Sequence, residues 1–316
     1  MIAGVTDRRH RRPAAWRLLL ALMAVFGTAV ADDGGADRHT LRYRDVDRAY
    51  LLRLPAARLD RSRPLPLLIV LHGGGGNADN AERMTGFTPI ARQQGFIVVY
   101  PEGSGRLKDR LLTWNAKHCC GYAMREKVDD VGFIDALIAQ LSRDYPVDAH
   151  RIYATGMSNG AMMAHRLGAE LPQRFAAIAT VVGTVFGDEV VPKSPVSALM
   201  INGMLDHHVP YLGGPPGGPG ARIGSWDGTP TQPALAQAAF WARADGCEPS
   251  PQQQDRGAVI VWSHRCPDGR AVELQLVKDN GHAWPGGERG SDRGDTPSTA
   301  IKASSVIWTF FAAHPR

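Results

Sequence analysis

Five short apolar runs punctuate the chain: Leu67 to Leu71, Phe96 to Tyr100, Ile152 to Thr155, Ala177 to Val182 and Ala198 to Ile201. Unbroken apolar runs of this length are what a strand needs when helices cover it on both faces, as in a parallel sheet. Between them, Ile134, Leu137, Ile138 and Leu141 recur at the spacing of one helix face, with Asp130 positioned to cap the N-terminus. The pattern predicts an α/β protein with a mostly parallel central sheet and helices on both sides. Thr40 to Arg44 and Tyr50 to Leu54 alternate apolar and polar residues, as an antiparallel edge hairpin would. One long irregular segment, Leu212 to Gly224, is dense in Gly and Pro and reads as an active-site or surface loop. With no internal repeat, residues 32–316 are expected to form a single catalytic domain.

The formal charge of +5 suggests a nucleic-acid binder until its position is considered. Five Arg (Arg8, Arg9, Arg11, Arg12 and Arg17) fall in the first 31 residues beside a single acid, Asp7, which leaves 31 basic against 30 acidic residues in the remainder. Nothing there resembles a stripe that follows a phosphate backbone, so no nucleic-acid partner is expected. Arg8 to Arg17 form a positive segment, Leu18 to Phe26 an apolar one, and Ala29-Val30-Ala31 supplies the small residues of a cleavage site. Residues 1–31 therefore read as a signal peptide cut after Ala31. The apolar stretch is shorter than the roughly 20 residues that span a bilayer, so export without a stable membrane anchor, to the periplasm or the extracellular space, is expected. An exported chain with four Cys makes disulfides plausible, with three connectivities open. Cys247 and Cys266 bracket a short loop before the last strand and are expected to pair. Cys119 and Cys120 are adjacent, and a bond between them draws the Cα atoms closer than disulfides prefer, so their pairing stays open.

Gly156-Met157-Ser158-Asn159-Gly160 fits G-x-S-x-G, although 35 Gly in 316 residues give about 0.2 such matches by chance. Its context is more specific, because a strand runs straight into it and a helix-period segment with Met163 and Leu167 follows. A sharp strand-to-helix turn needs Gly on both sides of the Ser, since a neighbouring Cβ would clash, and it lifts the hydroxyl above the sheet. A Ser hydroxyl needs a base and an orienting acid, and in this architecture they follow in the order Ser, Asp, His. Asp206 follows the run Ala198 to Ile201, and His282 follows the alternating segment Val272, Leu274, Leu276, both at strand ends where a parallel sheet presents its ligand loops. Asp188, one strand earlier, is the rival acid. His72-Gly73-Gly74-Gly75-Gly76 follows the first buried strand, where one oxyanion N–H arises. Gly73 or Gly74 is expected to supply it, with the backbone N–H of Asn159 as the second donor. No Lys-Ser/Thr follows, as a phosphate loop requires.

Together with Trp114-Asn115, Cys119-Cys120-Gly121, Val128-Asp129-Asp130-Val131-Gly132-Phe133 and Gly281-His282-Ala283-Trp284-Pro285-Gly286, these motifs resemble the polyhydroxybutyrate depolymerase and feruloyl esterase family of α/β-hydrolases, from about Thr40 onward. The resemblance implies the α/β-hydrolase fold, with Ser158 as nucleophile, Asp206 as acid and His282 as base. Its members cleave polyester oligomers, feruloylated or acetylated plant polysaccharides, or simple aryl esters. One departure is the acid loop, Gly203-Met204-Leu205-Asp206, where the family shows Gly-Thr-x-Asp. The expected protein is an exported serine ester hydrolase that needs no metal or cofactor; a serine peptidase or a non-catalytic binding protein on the same fold are the alternatives. Trp114, Trp226 and Trp284 fall in loops near the expected site and are candidates to stack on an aromatic acid or sugar. Asp129 and Asp130 read as helix caps.

Overall fold

The computed structural model describes residues 1, 2, 4, 38–56, 59–215 and 226–316. The expected signal peptide with its cleavage point lies outside these residues, apart from positions 1, 2 and 4, as do positions 216–224 of the Gly- and Pro-rich loop. The described residues from Arg38 onward pack as one unit. Its strands are β1 (Arg38–Tyr43), β2 (Val46–Arg53), β3 (Leu65–Leu71), β4 (Ile97–Pro101), β5 (Val147–Met157), β6 (Ala177–Val181), β7 (Ser197–Gly203), β8 (Gln252–Asp255), β9 (Val259–Arg265) and β10 (Ala271–Val277). They form one sheet in the order β1-β2-β4-β3-β5-β6-β7-β10-β9-β8. The six central strands, β4 to β10 in that order, run parallel, and an antiparallel hairpin flanks each side. The helices are α1 (Ala78–Thr85), α2 (Phe87–Gln94), α3 (Gly121–Arg125), α4 (Asp130–Asp144), α5 (Asn159–Glu170), α6 (Ala234–Ala244) and α7 (Ala303–Ala313).

Strand alternation divides the interior into two layers. Leu67, Ile69 and Leu71 of β3 face a layer shared with Phe133 and Leu137 of α4, Met163 and Leu167 of α5 and Trp241 of α6. Leu68 and Val70 face the opposite layer, with Met84 of α1, Phe87 of α2 and Phe311 of α7. After β3 the chain lays β4 on one side and then returns to lay β5 on the other. That reversal opens a crevice beyond the carboxyl ends of β3 and β5, the general location of ligand sites in open α/β sheets.

Two local expectations are corrected by partners distant in sequence. Asp129, not Asp130, caps α4, accepting from the backbone N–H of Gly132 at 3.0 Å. Asp130 is fully buried, 2.7 Å from an Arg48 Nη and 2.8 Å from the backbone N of Asn115, while the Arg48 guanidinium lies 4.0 Å over the Phe133 ring. A buried carboxylate needs such a paired charge, which takes precedence over capping. Cys247 and Cys266 are joined, as expected, but the span between them is the β8–β9 hairpin rather than a short loop. Strand β8 is exposed at all four residues, Gln-Gln-Gln-Asp, so no apolar alternation marks it. Cys119 and Cys120 are joined to each other.

Asp245, just past α6, is buried with one oxygen accepting from the Val196 N–H at 2.9 Å and the other without a partner. Burial pushes its carboxyl up to about 7. A raised folded pKa means that the native state holds the proton while the unfolded chain has lost it, so this group makes stability fall as pH rises from about 4 to about 7. Asp245→Asn keeps the acceptor and cannot ionise. Melting curves at pH 5 and pH 8 are expected to differ less in the variant than in the parent, with the variant melting several degrees higher at pH 8. An unchanged difference would refute the assignment.

Candidate active site

Ser158 stands between β5 and α5 with φ 54° and ψ −120°, a left-handed conformation that costs about 1–3 kcal/mol and persists because the surroundings fix it. Its N–H donates to the Val181 carbonyl and its own carbonyl accepts from Met162 N, both at 3.0 Å. The flanking glycines are sterically required. A Cβ on Gly156 would lie 2.6 Å from the Gly160 carbonyl carbon, and one on Gly160 would lie 2.5 Å from the His72 carbonyl oxygen.

His282 Nε2 is 2.9 Å from Ser158 Oγ, and His282 Nδ1 is 2.8 Å from Asp206 Oδ2. The other Asp206 oxygen accepts from the backbone N–H groups of His208 and Val209, at 2.8 and 2.9 Å. Asp206 follows β7, and the departure at Met204-Leu205 is absorbed by the backbone: Met204 N donates to Val277 O and Leu205 N to Asn280 O, each at 3.0 Å. Asn280, fully buried, closes the histidine loop by donating to the Gly281 and Ala283 carbonyls and accepting from Ser298 N. Asp295 accepts from the His282 N–H at 2.6 Å. Sequence reasoning missed both; Asn280 sits immediately before the Gly-His motif, whereas nothing local marks Asp295.

The glycine loop after β3 is set by His72. Its buried imidazole, pushed down to about 4 by desolvation, is neutral at neutral pH. The Gly103 N–H donates to Nε2 at 3.0 Å, so the proton is on Nδ1, which donates to the Gly73 carbonyl at 2.8 Å. In a planar trans peptide the Gly74 N–H then points away from His72. A Cβ on Gly73 would lie 3.8 Å from Ser158 Cβ, and one on Gly74 would lie 3.5 Å from Asn159 Cβ, so this loop passes directly over the serine turn. The Asn159 side chain is locked on Trp114, accepting from its N at 2.7 Å and donating to its O at 3.0 Å.

Residues 48–208 match the family model described as esterase PHB depolymerase. The chain belongs to the esterase PHB depolymerase family. Ser158 and Asp206 fall inside the matched span and His282 beyond it. A Nocardia uniformis subsp. tsuyamanensis protein that carries the name esterase NocK is 33% identical over 76% of this chain and 71% of its own length. An Aspergillus niger protein named as a feruloyl esterase C is 26% identical over 93% of this chain and 96% of its own. An acetyl xylan esterase from Aspergillus awamori shares the fold, with TM-score 0.58 and 14% identity over 87% of this chain and 99% of that one. The fold is that of the α/β-hydrolases, and this member of the esterase PHB depolymerase family is a carboxylic-ester hydrolase.

A groove of about 430 Å³ opens over Ser158 and His282, walled by the Gly73–Gly76 loop, Asn80, Met157, Gly290, Ser291 and Gly294. Trp114 and Trp284, expected to stack on substrate, line no part of it; this corrects the sequence reading. Both are buried, Trp114 donating its indole N–H to the His72 carbonyl and Trp284 to Ser304 Oγ. Trp226 is half-buried against Phe186. The rival acid, Asp188, pairs with His118 at 3.1 Å instead of His282. Among the described residues, no helix is long and apolar enough to cross a membrane, and no group of three or more His, Cys, Asp or Glu is placed to hold a metal ion.

Proposed function

We propose that this esterase works through a Ser158–His282–Asp206 triad and an acyl-enzyme. The observation that carries the reading is the hydrogen-bonded series from Ser158 Oγ through both imidazole nitrogens to a buried carboxylate that is itself held by two backbone N–H groups. His282 Nε2 takes the hydroxyl proton as Oγ attacks the ester carbonyl, and Asp206 holds the proton on Nδ1 and stabilises the imidazolium. The N–H groups of Asn159 and of Gly73 or Gly74 receive the developing oxyanion; losing one such donor costs about 100-fold or more. The imidazolium returns its proton to the departing alkoxide, and a water activated by the same His282 releases the acid.

The substrates proposed are feruloyl or acetyl esters of polysaccharides, in keeping with the named relatives, or hydroxyalkanoate oligomers. We further propose that residues 1–31 direct export, residues 32–316 forming the catalytic domain. The two disulfides support an oxidising destination, periplasmic or extracellular.

A sulfonyl fluoride tests the nucleophile directly. One adduct per chain is expected, mapping by mass spectrometry to Ser158, with turnover of methyl ferulate, a p-nitrophenyl acetate and a 3-hydroxybutyrate trimer falling in step. Full labelling with turnover intact would remove Ser158 from the chemistry. In the untreated protein, the fastest of the three esters identifies the substrate class.

A further inference from the structure

Among the described lining residues of the groove, one carries a permanent formal charge, and it is Arg110. The remaining walls are backbone amide, Asn, Ser and Met, with His282 at the floor. No aromatic ring besides that imidazole is among them, so there is little flat apolar surface on which to grip an acyl group.

The backbone that carries Arg110 is pinned on both sides to the loop over the serine turn. Gly75 N donates to the Leu112 carbonyl at 2.7 Å, and Asn77 Nδ2 donates to the Asp109 carbonyl at 3.0 Å. Among the described residues, the guanidinium meets a carboxylate only in its neighbour Asp109, whose Oδ1 lies 3.7 Å from Nε, beyond hydrogen-bond length, and the Arg110 side chain is 77% exposed. Arg106 and Lys108 on the same loop add charge of the same sign. A planar guanidinium on an anchored loop presents a fork that a carboxylate matches at two points.

We propose that Arg110 is a specificity-determining residue that selects esters bearing a free carboxylate close to the scissile bond. The proposal rests on the triad reading above. Two sources supply this chemistry: a hydroxyalkanoate oligomer, whose last unit ends in a carboxylate, and an acetylated sugar carrying a uronate.

Matched pairs test it: a 3-hydroxybutyrate dimer against its terminal amide, and acetylated glucuronate against acetylated glucose. In low salt the anionic member of at least one pair is expected to have a KM about tenfold lower, a preference that collapses near 1 M salt, where the screening length is about 3 Å. The pair that shows the preference identifies the source. Arg110→Gln is expected to bring the KM ratio to about one, Arg110→Lys to keep part of it, and Arg143→Gln, on α4, to leave it in place. Equal KM within both pairs, with the neutral members hydrolysed, would overturn the proposal. So would an Arg110→Gln protein that keeps the preference, or an Arg143→Gln protein that loses it. If no ester is turned over and Ser158 resists the sulfonyl fluoride, the triad reading fails, and this proposal with it.

Discussion

Ser158→Ala is expected to lower kcat by about a millionfold on any ester that the protein hydrolyses, leaving the residual rate that binding and oxyanion donors sustain without a nucleophile. The magnitude follows from the division of labour in the site. In the proposed mechanism every step that His282 and Asp206 assist begins with attack by Oγ or acts on the acyl group that Oγ carries, so removing that one atom idles both. Alanine has to adopt the same left-handed backbone at this turn, and the hydrogen bonds to Val181 and from Met162 involve only main-chain atoms. The variant should therefore melt close to the parent temperature, which distinguishes lost chemistry from lost fold. Initial rates on a p-nitrophenyl ester check it, and activity within tenfold of the parent would exclude Ser158 as nucleophile.

Asp206→Asn should cost about 10⁴-fold in kcat, although it changes one heavy atom. The parent carboxylate accepts hydrogen bonds at both oxygens: one receives the His208 and Val209 N–H groups and the other faces His282 Nδ1. An amide has a single accepting oxygen. The two backbone donors claim it, turning the NH₂ toward Nδ1, which must then be the unprotonated nitrogen. The imidazole proton moves to Nε2, and the histidine donates to Ser158 where it should accept. Geometry is preserved and the tautomer is wrong. The test is a measurement of kcat beside Asp206→Ala, which removes the tautomeric lock without imposing the opposite one. If the asparagine variant is no slower than parent, Asp206 does not orient the base.

The parts of the molecule legible in the sequence are those whose cause is local. An apolar run of five residues has few fates, and Leu67 to Leu71 became β3 with its side chains divided between two layers as alternation requires. The serine turn was legible because steric exclusion at Gly156 and Gly160 leaves a sequence signature. Ser158, Asp206 and His282 were expected at strand ends, and the structure brings the three within hydrogen-bond distance. What failed depends on long-range partners. Asp130 looked like a cap until Arg48, 82 residues away, took it as a buried counter-ion. Trp114 looked like a loop aromatic, but the His72 carbonyl and the interior claim it. Asp295 supports the His282 loop from 13 residues beyond it through a main-chain N–H, a role that any acceptor at that point in space would fill. The exposed strand β8 has no apolar residue for a periodicity argument to find.

Both ends of the sheet are closed by hairpins whose outermost strands are poor templates for growth. Strand β1 carries Arg38 and Arg42 along an edge only half in contact with the body, and β8 is four polar, exposed residues ending in an aspartate. Unpaired strand edges invite a second chain to continue the ladder, and charge, brevity and polarity are the features that discourage it. The apolar strands that build the hydrolase framework are thereby kept six deep in the interior of the sheet. The chain gains from this arrangement a resistance to self-association that does not depend on the catalytic machinery.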